Sequence, residues 1–92
     1  MAGSDVKTKR ITGTGALGVG RSRIRHVTAL VSGAGAGRLT VTDGDGGPTI
    51  LDVDLATSTF STIDIPDEGI LSVNDPYVSA ATNITAATFF WS

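Results

Sequence analysis

The sequence predicts an all-β domain, a small antiparallel β-sandwich or barrel of about seven short strands, and three observations predict it. Thr, Val and Ile supply 13, 8 and 7 of the 92 residues, and their β-branched side chains are stiff about χ1 and suit a pleated surface. The unbranched residues that build surface helices are scarce: two Lys, one Glu, one Met and no Gln. Clusters of Gly, Asp, Asn and Pro punctuate the chain at intervals of roughly 8 to 12 residues, the spacing of a sandwich or barrel.

The elements follow in chain order. Lys7 to Thr12 forms the first strand, and the glycine-rich stretch from Gly13 to Gly20 reads as a loose loop. Arg21 to Ser32 alternates, but its apolar phase slips from Ile24 to Val27, Ala29 and Val31, as a β-bulge near His26 would produce. A strand that changes face in this way is suited to bridging two sheets. After the turn from Gly33 to Gly37, Arg38 to Thr42 places Leu39 and Val41 on one face. Asp43-Gly44-Asp45-Gly46-Gly47 closes a hairpin into Pro48 to Leu55, where Leu51, Val53 and Leu55 share one face and Asp52 and Asp54 the other. Thr57 to Ile65 is a further strand ending at the turn Pro66-Asp67-Glu68-Gly69. Ile70 to Val73, the turn Asn74-Asp75-Pro76, Tyr77 to Thr82 and Ile84 to Trp91 complete the chain.

A chain of this length buries roughly 60 to 70% of its unfolded surface, enough for one core. The expectation is a single β domain over residues 1–92, with residues 1–6 as a flexible N-terminal arm. There is no cysteine, so neither a disulfide nor a thiolate metal site supports the fold. No apolar stretch follows the opening charges and no run approaches about 18 apolar residues, so neither a leader nor a membrane span is expected, and no membrane partner.

Net charge is only −2, yet it is unevenly placed. All seven bases (Lys7, Lys9, Arg10, Arg21, Arg23, Arg25, Arg38) lie in the first 38 residues, opposed there by Asp5 alone, and eight acids with no base follow. Such a division provides oppositely charged parts for docking against different neighbours.

Each motif that suggests chemistry fails on a named residue. Gly13-Thr14-Gly15-Ala16-Leu17-Gly18 has the G-x-G-x-x-G spacing of a pyrophosphate loop. That loop must open a helix and be followed by an acid for the ribose, whereas here an Arg-rich strand follows with no acid before Asp43. Asp43-Gly44-Asp45 begins like a calcium loop, but the fifth and sixth positions are Gly47 and Pro48, where an oxygen donor and a glycine are required. His26 is the only histidine and Glu68 the only glutamate, so a histidine metal cluster is excluded and a carboxylate pair would need two of the turn or strand aspartates. Asn83-Ile84-Thr85 matches a glycosylation sequon by chance. No catalytic, metal or cofactor-binding residue is assigned, and no cofactor is expected.

Two features point instead to contact surfaces. Arg21, Arg23 and Arg25, spaced by two, project from one strand face. With an acidic chain and no aromatics interleaved along that strand, they fit pairing with acid-rich strands such as that of Asp52 and Asp54, in the same domain or another subunit, better than nucleic acid. Phe89, Phe90 and Trp91 are three of the five aromatics, and alternation sends Phe89 and Trp91 to one side and Phe90 to the other. Phe90 and Trp91 are the candidate contact aromatics.

The charged opening strand, the G-x-G loop, the Arg-rich strand, the segment Ala34-Gly35-Ala36-Gly37-Arg38-Leu39-Thr40-Val41-Thr42-Asp43-Gly44, the turn Ile65-Pro66-Asp67-Glu68-Gly69-Ile70 and the closing Tyr77-Val78 to Phe90 together resemble small β-rich virion structural proteins of tailed bacteriophages. The similarity spans nearly the whole chain through short turn-and-strand patterns. It implies a non-enzymatic capsid decoration or cement protein on the capsid exterior, binding the major capsid protein, copies of itself, or both. The alternatives within a virion are a tail or connector subunit, or a glycan-binding module using Tyr77, Phe90 or Trp91 as stacking platforms.

Overall fold

A computed structural model describes residues 6–65 and 69–92. The expected N-terminal arm, save Val6, and the Pro66-Asp67-Glu68 part of the expected turn lie outside the described residues. Among the described residues nine strands form two antiparallel sheets: β1 (Lys7–Ile11), β2 (Gly15–Ala16), β3 (Ser22–Val31), β4 (Gly37–Asp43), β5 (Thr49–Leu55), β6 (Phe60–Asp64), β7 (Ile70–Ser72), β8 (Pro76–Thr82) and β9 (Ile84–Trp91). The first sheet runs β1-β9-β3-β6, with β7 also on β3, and the second runs β2-β8-β4-β5. Their inner faces enclose a core of Leu17, Ile24, Val27, Ala29, Leu39, Val41, Val78, Ile84, Ala87 and Phe89. The chain is an all-β sandwich, as the β-branched composition predicts.

The phase slip in β3 is a bulge. Ile24 pairs with Trp91 and His26 with Phe90, which leaves Arg25 as the extra residue. Ile24 thereby keeps its inward direction before the bulge, while Val27, Ala29 and Val31 point inward after it. The expected consequence differs, because β3 stays within one sheet and pairs with β9, β6 and β7 there. A second register shift, between Leu30/Ala86 and Val31/Ile84, turns Ile84 into the core while Ala86, Thr88 and Phe90 point outward.

The sheets are joined by tight passages. One residue, Asn83, connects β8 in the second sheet to β9 in the first, in the left-handed conformation at φ 56°. Asparagine tolerates that region because its side chain can bond locally. Its Nδ2 donates to Ala36 O at 3.0 Å, and its carbonyl accepts Ser32 N–H at 2.8 Å.

The glycine-rich stretch is more ordered than a loose loop. Gly15–Ala16 pairs with β8, and Leu17 drops into the core at 1% exposure with its N–H on Pro76 O. What the glycines supply is backbone freedom at Gly18 and Gly20, with φ of 75° and 72°.

Candidate interaction face

The outer face of the first sheet collects the residues that sequence reasoning singled out, apart from Trp91 and Arg21. Register places its side chains in rows across the strands. One row is Thr8, Phe90, His26 and Asp64, a second is Arg10, Thr88, Thr28 and Thr62, and a third is Ala86, Leu30 and Phe60. Beyond the bulge, Ser22 and Ile24 are buried, so Arg23 and Arg25 fall on this same outward side. Arg21 lies just ahead of β3 and is exposed, whereas Arg23 and Arg25 are half-buried.

Phe90 is half-buried on this face and meets the His26 ring edge-on, with centroids 5.5 Å apart at 69°. His26 is held from its other side, where Nδ1 lies 3.0 Å from Asp64 Oδ1. Asp64 is 89% exposed, so this contact fixes the ring more than it adds stability. Arg25 Nε donates to Ser92 Oγ at 2.9 Å, tying the bulge to the end of β9.

Trp91 is elsewhere. It shares the inward side with Phe89 and stands at the sandwich edge, with Lys7 Nζ 5.2 Å from its ring centroid. Its Nε1 and the Ser22 Oγ are buried without a hydrogen-bond partner among the described residues. Tyr77 belongs to β8 in the second sheet. The three aromatics named as a stacking platform therefore lie on three separate surfaces.

Phe60 and Arg10 are the residues that sequence reasoning missed. Phe60 is 66% exposed and Leu30, beside it on β3, is 45% exposed. The signal was present in the alternation of Thr57 to Ile65. Ile63 and Ile65 set the inward phase, which sends Phe60 outward with Thr62 and Asp64. Arg10, Thr28, Leu30, Phe60, Ala86 and Thr88 line a hollow of about 200 Å³ on this face.

Charge follows the two layers. The first sheet's strands hold Lys7, Lys9, Arg10, Arg23 and Arg25 with Asp64 as their acid, while the second sheet's strands hold Asp43, Asp52 and Asp54 with Arg38 as their base. The expected pairing of the Arg21, Arg23 and Arg25 stripe with Asp52 and Asp54 inside the domain does not form. Asp52 is taken by Arg38 in a two-pronged bond, Nε to Oδ1 at 3.0 Å and Nη2 to Oδ2 at 2.8 Å, with Thr40 Oγ1 also donating. The guanidinium holds the Asp52 carboxyl below the usual carboxylate range, and the carboxylate raises Arg38 in turn. Sheet membership is the reason, because β5 lies in the other layer from β3.

The two motifs rejected for chemistry have structural uses. The N–H groups of Gly18, Val19 and Gly20 converge on an anion, and that anion is the carboxylate of Asp75. At the β4–β5 hairpin, Asp43 accepts from Ser72 Oγ and Asn74 N–H, each at 2.8 Å, and these bonds hold its carboxyl below the usual range. Gly44 and Gly46 turn the chain at positive φ, and a Cβ on Gly47 would overlap the Asp43 carbonyl. Among the described residues no group of three or more His, Cys, Asp or Glu is placed to hold a metal ion.

No protein-family model matches the chain, no curated protein matches it in sequence, and no solved structure matches it in fold.

Proposed function

We propose that this chain is a non-enzymatic virion structural protein of a tailed bacteriophage, a capsid decoration or cement protein that docks on the major capsid protein through the outer face of its first sheet. The observation that carries the reading is that Arg23, Arg25 and Phe90 share that face with the exposed Phe60 and Leu30, Arg21 standing exposed just ahead of β3. A sheet face with guanidinium groups at the Arg23–Arg25 end of β3 and at Arg10, and with exposed apolar side chains at the Leu30–Phe60 end, has the composition of a protein-binding surface, the aromatics contributing buried area and the arginines orientation. The sequence resemblance adds the virion setting, and the charge difference between the layers gives a docked subunit a defined way up.

The test is a mass-spectrometric copy count of the chain in purified particles. A copy number on the scale of the major capsid protein supports decoration, while a number on the scale of a tail ring or a single vertex supports the connector alternative. Absence from the particle removes the virion reading altogether. Particles carrying Arg21→Ser, Arg23→Ser and Arg25→Ser together are expected to show lower occupancy than wild type at low salt and a flatter fall as salt rises, because the charge contacts that screening weakens have been removed. Unchanged occupancy at every ionic strength would remove the electrostatic part.

A further inference from the structure

The hollow on the outer face has a shape and a chemistry of its own. Its two adjoining rows place large groups at opposite ends, Arg10 on β1 and Phe60 on β6, with the small side chains of Ala86 and Thr88 between them. Ala86 forms a floor at 7% exposure although it points outward, and Leu30 and Phe60 rise beside it. The lining is apolar at the Phe60 end. Thr28 and Thr88 bring hydroxyls to the middle, and Arg10 is the charged group that lines the hollow.

We infer that this hollow is a socket for one apolar side chain carried next to a carboxylate on a partner protein. The inference rests on the docking role proposed for this face and names the chemistry that the face selects. An apolar pocket at the centre of a contact surface is where a single inserted side chain contributes most. Arg10 forms no ion pair with a carboxylate among the described residues, and a guanidinium fork matches a carboxylate in two parallel bonds. The occupant therefore needs both a hydrocarbon side chain for Leu30, Phe60 and Ala86 and an acid for Arg10.

Two other occupants fit less well. A second copy meeting this face with its own would bring together two sheets that each carry Arg10, Arg23 and Arg25 against Asp64 alone, an approach of like net charge. A nucleic acid would find phosphate partners at the arginine stripe and one ring, Phe60, to stack on, but the rest of the hollow is Leu30, Ala86 and two threonines, with no second aromatic to carry a following base.

The test is an amide-resolved NMR titration of the full chain with N-acetyl-leucine, with its uncharged amide, and with a short oligothymidylate. N-acetyl-leucine is expected to shift the Thr28, Leu30, Ala86 and Thr88 amides saturably, and to bind about threefold more tightly than the amide, as one exposed ion pair would give. Arg10→Ser should abolish that preference and leave the spectrum otherwise intact, and Phe60→Ala should weaken both probes. Equal affinity for acid and amide, or no saturable shift up to the solubility limit, overturns the proposal. So does an oligothymidylate that shifts the hollow more tightly, or peaks that broaden with protein concentration alone. The titration needs only the isolated chain, so it can fail while the particle copy count succeeds, and the reverse.

Discussion

Asp75 closes on Gly18 across 57 residues of chain, its Oδ2 accepting the Gly18 N–H at 3.0 Å. Its Oδ1 accepts from Val19 at 3.0 Å and Gly20 at 3.2 Å. Asp75 itself sits at φ 88°, a conformation costly for a residue with a Cβ. The three N–H bonds offset that cost and pin the segment that carries Leu17 into the core. Asp75→Ala is expected to destabilise the domain by about 1–3 kcal/mol, the range for losing bonds to a charged acceptor. Asp75→Asn, which keeps one acceptor oxygen, should lose less. Hydrogen exchange of the Gly18, Val19 and Gly20 amides checks the mechanism, since all three should exchange faster in Asp75→Ala. Unchanged protection there would show that the loop is held by Leu17 alone.

Asn83 carries the chain from one sheet to the other in a single residue, so its conformation and its side-chain bond are both under test. Asn83→Gly keeps φ 56° free of strain and loses only the bond to Ala36 O. Asn83→Ala loses the bond and adds the left-handed penalty of roughly 1–2 kcal/mol. Denaturant unfolding should therefore rank Ala below Gly, with unchanged m-values. Equal stabilities would mean that the corner relaxes.

Much of the fold was legible in the sequence because period-two alternation is a local signal. Leu39 and Val41, or Leu51, Val53 and Leu55, announce their inward face without reference to any other strand. The bulge was legible for the same reason, as the step from Ile24 to Val27 breaks the alternation in place. Sheet membership was not legible. Which acid meets which arginine depends on strand order, and Arg38 rather than the Arg21, Arg23 and Arg25 stripe lies across from β5. The contact face was half-legible: Phe90 follows from alternation, but its companions Phe60 and Leu30 become neighbours only through the pairing of β6 and β9 on either side of β3.

Acid should loosen the hairpin end of the second sheet. Asp43 takes hydrogen bonds from Asn74 N–H and Ser72 Oγ, and these depress its folded-state pKa. A depressed carboxyl contributes stability that is complete above the unfolded value of about 3.9 and is lost as pH falls through the lower folded value. Asp52, depressed by Arg38, acts in the same direction. Thermal midpoints should therefore hold steady well above pH 4 and fall below it. In Asp43→Asn the acid-linked fall should be shallower, even though the variant starts from a lower midpoint at neutral pH. An identical acid slope in wild type and variant would assign the effect to other carboxyls.

Two phenylalanines on the strands that flank β3 in the same sheet should separate stability from recognition. Phe89 is fully buried and belongs to the core, whereas Phe60 is 66% exposed on the outer face. Phe89→Ala opens a cavity and is expected to cost about 3–5 kcal/mol. Phe60→Ala removes mainly solvent-facing surface and should change stability by no more than about 0.5 kcal/mol. Urea unfolding measures both on one scale. A large loss in Phe60→Ala would make that ring a structural member of β6 and take it out of the docking surface. A negligible loss leaves an exposed aromatic beside Leu30 that the fold does not require, and its use is then to be sought in what covers the sheet.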